Sequence, residues 1–455
     1  MLYHSSTHSQ RLLSLPVLAL LIFTSLAIST GHAEPEQASE SGVNTTLSNQ
    51  KKAEIIDSVL YILDSCYIFP EVAVKMQEHI RTKLEYNQYD EITDLYRFTE
   101  QLTDDMYEIS SDRHLRISVM SPQDFDPSEG DTLTYDKIET RAIKNFGFRK
   151  VECLPGNVGY LDLRMFDNPK YGGPTAAAAM NFLANSDAVI IDIRNNGGGE
   201  GYMVQFLCSY FFKEPVRLNS FYDRANDETM QSWTNAFVPG KTMYDTDLYV
   251  LISDNTGSAA EGFAYNMKAR ERATLVGSTT RGAAHTVGFY DFPNLQVRAK
   301  ISTGRPINPV TGDNWEVVGI KADIEVPSEH AFDKAYLMAL EKISGWAEDE
   351  ARRYELDWAM AGVNAKLNPI TLEGDLLKSY AGTYGSTTIL YENGALIYVG
   401  TKGTRYALIP LTSNLFQFSD TDAARVRFMV DESGKVAEIK MLYDDGYIIR
   451  KTRIE

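Results

Sequence analysis

The sequence predicts an α/β protein: a layered, mostly parallel core between a helical N-terminal domain and a small all-β C-terminal barrel or sandwich. Three observations carry that prediction. Apolar residues recur at helical spacing from Lys51 to about Ile109, continuous apolar strands alternate with helical stretches from about residue 150, and short alternating runs broken by turn signals follow Asn368. At 455 residues, 44% apolar and 23% charged, the chain has the length and composition of two or three folded domains.

Taken in order, residues 1–33 have a polar start, the apolar run LLSLPVLALLIFTSLAI and small residues at Gly31 and Ala33, which read as a signal peptide cleaved after Ala33. The expected location is therefore periplasmic or extracellular, with no stable membrane insertion after cleavage. Residues 34–50 are polar and poor in apolar side chains, as in a disordered linker. Residues 51–135 form the helical domain, on stretches such as AEIIDSVLYILDSCYI and VAVKMQEHIRTKLEY. Within 136–345, VGYLDLRMF, AVIIDIR, DLYVLIS and ATLVGS read as strands, and TAAAAMNFLAN, GYMVQFLCSYFF and AEGFAYNMKARE as the intervening helices. Apolar strands of that kind are buried on both faces, as in a parallel sheet covered by helices. Residues 346–368 read as a helical linker, and 369–455 as a small β-domain whose turns fall at ENG, KG and ESG.

The formal net charge is −18, and it becomes −19 without the signal peptide, whose only Lys or Arg is Arg11 and which has no acid. Such a surface repels phosphate backbones, and no basic stripe offsets it, so nucleic acid is excluded as a partner. Cys66, Cys153 and Cys208 lack metal-ligand spacing and are expected as buried free thiols, with at most one pair able to close within the chain.

Chemistry gathers in the core. In SDNTGSAAEGFAYNMKA, residues 253–269, Ser258 stands three positions before Glu261 at a strand-to-helix turn. That spacing is a capping box, in which both side chains tie off open helix amides. It also suits a nucleophile, because Gly257, Ala259 and Ala260 leave room for a carbonyl carbon and the helix N-terminus favours developing negative charge.

Three stretches together, AVIIDIRNNGGGEG (188–201), LYVLISDNTGSAAEGFAYNMKARERATLVGSTTRGAAHTVG (248–288) and WEVVGIKADIEVP (315–327), resemble the tail-specific or C-terminal processing serine protease family. That family includes the tricorn core and the interphotoreceptor retinoid-binding protein. The resemblance implies a crotonase-like core, a peptide or protein substrate, and a serine endopeptidase that works through an acyl-enzyme without metal or organic cofactor. It makes Ser258 the nucleophile. The bacterial tail-specific branch uses a lysine base on the loop where this chain has Ala283, so the resemblance is to the retinoid-binding-like and tricorn-like branch. The stretch between His114 and Val158 is also too short for that branch's peptide-gripping PDZ module.

With no lysine base, histidine remains. His114, in SSDRHLRISV, resembles the segment that carries the general base in the tricorn branch, and His285 on the lysine-bearing loop is the alternative base or an accessory group. Glu316 resembles the acidic partner of that branch, although Ala322 replaces its usual proline, and Ser111 or Asp112 could orient the histidine instead. For the oxyanion hole the resemblance implies the amide of Gly198 or Gly199 together with that of Ala259. Asp192 and Arg194 are expected to hold the glycine turn by hydrogen bonds. The competing functions are a non-catalytic binder of apolar ligands or peptides, as in the retinoid-binding relative, and an esterase.

Overall fold

The structure is a computed structural model and describes residues 47–120 and 135–454. The signal peptide and residues 34–46 of the linker thus lie outside the described residues. The first helix, α1 (Asn49–Cys66), starts two residues before Lys51, and Ser48 caps it by accepting from the Lys51 amide at 3.2 Å.

α1 packs with α2 (Pro70–Glu85) and α3 (Leu95–Ser110) through Ile55, Leu63, Met76, Phe98 and Leu102, the apolar stripe that the periodicity predicted. This domain does not close on itself. Val297, Ala299 and Ile301 complete its core from a five-stranded sheet that the sequence did not foretell. That sheet contains β1 (Arg116–Val119), β5 (Arg217–Asp223), β6 (Glu228–Trp233), β9 (Thr286–Phe292) and β10 (Val297–Ile307), all joined antiparallel.

The central sheet has the order β11-β8-β7-β4-β3-β2, from β2 (Phe148–Leu154), β3 (Val158–Leu163), β4 (Ala188–Asp192), β7 (Asp247–Ile252), β8 (Thr274–Gly277) and β11 (Ile324–Glu325). Every pair is parallel except β2 with β3. α4 (Tyr135–Ile143) precedes β2, and α5 (Pro169–Leu183), α6 (Gly201–Cys208) and α7 (Ala259–Ala269) cover one face through Met180, Leu207 and Phe263. α8 (Ala331–Ser344) and α9 (Glu350–Leu367) cover the other, where Leu340, Leu356 and Val363 join Val158, Ile190 and Leu251. The segment expected as a linker is therefore structural: α9 belongs to the core's outer layer.

After α10 (Gly374–Tyr380), eight strands from β12 (Gly382–Tyr384) to β19 (Ile448–Thr452) run as an antiparallel meander. Tyr384 bridges back to Arg453, which nearly closes a barrel around Phe416, Phe428 and Ile439. All three cysteines are free, but only Cys208 is fully buried; Cys153 is exposed, against the expectation of buried thiols. Among the described residues, no helix is long and apolar enough to cross a membrane.

Candidate active site

Parallel strands converge their C-terminal ends, and the crevice beyond those ends is where α/β proteins place ligands. β4 and β7 are neighbours, so the glycine turn after β4 and the serine turn after β7 meet there. Asp192 and Arg194 brace the first turn as expected: the guanidinium donates to both Asp192 oxygens, at 2.9 and 2.6 Å, and to Ser328 O.

Ser258 sits at the mouth of α7 with φ +52° and ψ −120°, a conformation that L-residues rarely adopt and that a sharp strand-to-helix nucleophile turn imposes. Its side chain lies against the Glu261 backbone amide, in the capping box that the sequence predicted, without a full capping hydrogen bond. Glu261 keeps its half of the box, accepting from the Ser258 amide at 2.8 Å. The same buried carboxylate also accepts from Thr280 Oγ1 and Gly282 N, both at 2.6 Å, and from Ala283 N at 3.0 Å. Glu261 thus ties the serine turn to the loop that leads to His285. Burial raises its pKa, against the pull of the donors from Thr280, Gly282, Ala283 and Ser258.

Gly198 and Gly199 both have positive φ, +115° and +132°. They differ in what their amides do. Gly198 N donates to Asn196 Oδ1 at 2.9 Å, whereas Gly199 N, like Ala259 N, has no protein acceptor among the described residues. Ala259 N follows Ser258 directly and Gly199 lines the same cavity, so these two amides are open to a ligand while that of Gly198 is taken; Gly198 supplies close approach, since a Cβ there would lie 2.8 Å from that of Ser258. A Cβ on Gly199 would meet Phe166 O at 2.1 Å. Gly199→Ala is expected to turn this amide away and lower kcat by about 10²–10³-fold with a smaller change in KM, measured by steady-state kinetics.

His114 follows α3 in a turn shaped by Asp112, whose Oδ1 accepts the His114 amide at 2.9 Å. The other oxygen of Asp112 lies 2.9 Å from His285 Nδ1. Of the two candidate orienting groups, Asp112 is therefore the one engaged; Ser111 takes φ +54° as the left-handed cap of α3. Burial raises the pKa of Asp112, but the hydrogen bond and charge of His285 outweigh it and hold the carboxyl below its ordinary value. Glu316 Oε2 accepts from Ala284 N at 2.5 Å and His285 N at 3.0 Å, and lies 3.6 Å from His285 Nδ1. Burial pushes its pKa up.

Three buried atoms at this junction lack a hydrogen-bond partner: His114 Nδ1, His285 Nε2 and Glu316 Oε1. Buried polar atoms are normally paired, so an unpaired group of them marks a place built for something that arrives. Single atoms of Asp112, His114 and Glu316 also lie within 4.8 Å of one another, a spacing open to a metal ion. Lys300 and Arg281 act on His114 with positive charge, which opposes a divalent cation there and favours a hydrogen-bonding relay. Ser258, His114, His285, Gly199 and Ala259 all line one cavity of about 720 Å³.

Residues 157–326 match peptidase family S41, and residues 44–144 match the N-terminal domain of peptidase S41 in eukaryotic IRBP. The chain belongs to peptidase family S41. It is 31% identical over 132 residues to a carboxyl-terminal-processing protease of Synechocystis sp., a match that spans 29% of this chain and only 30% of that protein. Among solved structures it resembles the photosystem II D1 C-terminal processing protease (14% identity, 61% of this chain and 94% of that one, TM-score 0.39). It also resembles the tricorn protease (10% identity, 65% of this chain and 37% of that one, TM-score 0.44).

Around this S41 core the structure adds features that sequence reasoning missed. The Asp112–His285 pair joins residues 173 positions apart. Next to Glu316, Val317 takes φ +66° inside a tight turn in which Val318 N donates to Glu316 O at 2.7 Å. A β-branched residue at positive φ is strained, and here the strain aims the carboxylate of Glu316 at the His285 loop. No composition or periodicity signal marks such a turn in advance.

Proposed function

We propose that this chain is a serine peptidase that hydrolyses peptide bonds through an acyl-enzyme on Ser258, and that residues 1–33 direct it to the periplasm or outside the cell. Ser258 Oγ attacks the scissile carbonyl and His114 takes its proton. The amides of Gly199 and Ala259, with the positive end of α7, hold the oxyanion. His114 then gives the proton to the leaving amine, and water repeats the sequence to release the acid. Glu316 supports the imidazolium. The observation that carries this reading is the strained Ser258 turn opening beside two unoccupied amides in a cavity shared with His114.

A fluorophosphonate probe tests it. The wild type is expected to label and Ser258→Ala not to label; no labelling of the wild type would overturn the reading and leave a binder of apolar ligands or peptides on the same fold. Comparing peptide with short-chain ester turnover separates peptidase from esterase.

One observation favours a second assignment of the base. Asp112 holds His285 Nδ1 at 2.9 Å and leaves Nε2 without a partner, which is the acid–histidine half of a triad. His114→Ala and His285→Ala decide: with His114 as base, the first is expected to lower kcat by about 10⁴-fold or more and the second by much less.

The pH profile gives an independent check. His114 is pushed down to about 4, by burial first and then by Lys300, with Asp112 opposing and His285 and Arg281 adding to the fall. A base works only when neutral, so lowering its pKa extends activity toward acid. The acid limb of kcat/KM is expected near pH 4 instead of near the ordinary histidine value of about 6.5. Lys300→Met should move that limb upward.

A further inference from the structure

We propose that the cavity beside Ser258 binds a carboxylate of the peptide through Arg113, Arg281 and Lys300, with an apolar side chain of the same peptide against the wall formed by Leu218, Phe221, Val287 and Phe289. The proposal rests on the peptidase reading and names the substrate class for that site: acidic–apolar peptides.

The first reason is charge contrast. The chain carries a net −18, yet the cavity that holds Ser258 is lined by Arg113, Arg281 and Lys300 against Glu200 as the one carboxylate in the lining. Asp112, Glu261 and Glu316 lie behind the lining, engaged by the His285 loop and the Ser258 turn. In a concave, low-dielectric wall that arrangement focuses a positive potential on the site while the rest of the surface stays negative.

The second is that, among the described residues, none of these cations is tied up in an ion pair, whereas Lys83, Arg164, Arg194 and Arg352 elsewhere all are. The Asp112 carboxylate acts on Lys300 only from a distance. Arg281 makes one long side-chain contact, to Asn255 O at 3.5 Å, and Arg113 and Lys300 make none. Lys300 is partly buried on β10, opposite Arg116 on one side and Phe289 on the other. A desolvated ammonium beside a second cation is costly unless an anion joins it; burial lowers the pKa of Lys300, with Asp112 opposing and Arg116 adding to the fall.

The third is placement. The Arg281 guanidinium lies about 3.5 Å from where a Cβ on Gly257 would stand, one residue before Ser258. Arg113 directly precedes His114, and Lys300 and Arg281 both act electrostatically on His114. A carboxylate held among them would sit within a residue or two of the bond under attack. Beside them Leu218 and Phe221 from β5, and Val287 and Phe289 from β9, offer an apolar surface on which Phe289 is 62% exposed.

A carboxylate can come from an Asp or Glu side chain or from a free C-terminus. Three fluorescein-labelled peptides with the same apolar residues separate these: one with an internal Glu and an amidated end, one neutral with a free C-terminus, and one neutral and amidated. Binding is read by anisotropy on the Ser258→Ala protein, so the result does not depend on turnover. At least one carboxylate peptide is expected to bind on the order of tenfold more tightly than the neutral amide, with the difference shrinking as salt is raised. Which of the two does so names the source. Lys300→Met and, separately, Arg113→Gln in the same background should narrow that ratio; Arg113 is exposed, so its variant keeps the test open if the β10 substitution misfolds. Equal binding of all three peptides, or a ratio unchanged in both variants, overturns the proposal. Turnover of the same peptides by the wild type is the separate test of the peptidase reading: tight carboxylate binding without cleavage would sink that reading and leave this one standing.

Discussion

Ser258→Ala is expected to lower peptide turnover by about 10⁶-fold and to abolish fluorophosphonate labelling while leaving the fold intact. The hydroxyl lies against the Glu261 amide in a capping box but makes no full hydrogen bond to it, so deleting it costs the helix start only about 0.5 kcal/mol. The ties that do hold it run through the Ser258 amide to Glu261 and through Gly262 N to Ser258 O at 2.9 Å, and both survive in alanine. What alanine retains is the strained backbone at φ +52°. Ser258→Gly would relieve it, so the glycine variant is expected to unfold later than the alanine variant, by about 1 kcal/mol in urea melts. That ordering is unusual, because glycine normally destabilises relative to alanine. A reversed order, or labelling that persists in Ser258→Ala, would rule out Ser258 as a strained nucleophile.

Much of this was legible in the chain, and the boundary of legibility is physical. The strands of the central sheet are continuous apolar runs, AVIID in β4 and DLYVLI in β7, and burial on both faces requires such runs. The turn glycines, the serine and Glu261 announced themselves because local geometry demands those residue types. The five-stranded sheet did not. β6 is mostly exposed, and the sheet is held by pairings such as Arg116 with Lys300 that no local window contains. It matters for function, because it carries Lys300 and Phe289 to the cavity. The choice between Gly198 and Gly199 was equally beyond reach, since it turns on Asn196 having already taken one of the two amides. Proximity of His114, His285 and Glu316 was expected; that Asp112 would bind both histidines, one by its backbone and one by its ring, was left open.

Glu261→Gln is expected to be the most disruptive single-atom change at the site. The carboxylate offers two oxygens to four donors: Thr280 Oγ1 and Gly282 N on one, Ser258 N and Ala283 N on the other. An amide of the same shape keeps one oxygen and presents an NH₂ where the other stood. Turned toward Ser258 and Ala283 the NH₂ faces two amide donors; turned the other way it faces Gly282 N and a Thr280 hydroxyl that can accept, so at least one donor is stranded in a site where Glu261 has no solvent exposure. A stranded donor costs about 1–3 kcal/mol, so a loss of that order is expected, read from urea melts of the variant against its parent. Thr280→Val leaves the charge three donors but strands the Ile320 amide, which Thr280 Oγ1 accepts at 2.8 Å, so it should cost about 1–3 kcal/mol without freeing the Ser258 turn. The catalytic effect follows the same bonds. Released from Glu261, the Ser258 turn can relax toward ordinary helix-cap geometry, and the loop bearing His285 loses its tie to α7. A shift of about 1 Å between nucleophile and base is enough to cost about 10²-fold in kcat. If Glu261→Gln instead labels at the parental rate and melts within 1 kcal/mol of it, Glu261 is an ordinary cap, and Ser258 is held in its strained conformation by something other than this carboxylate.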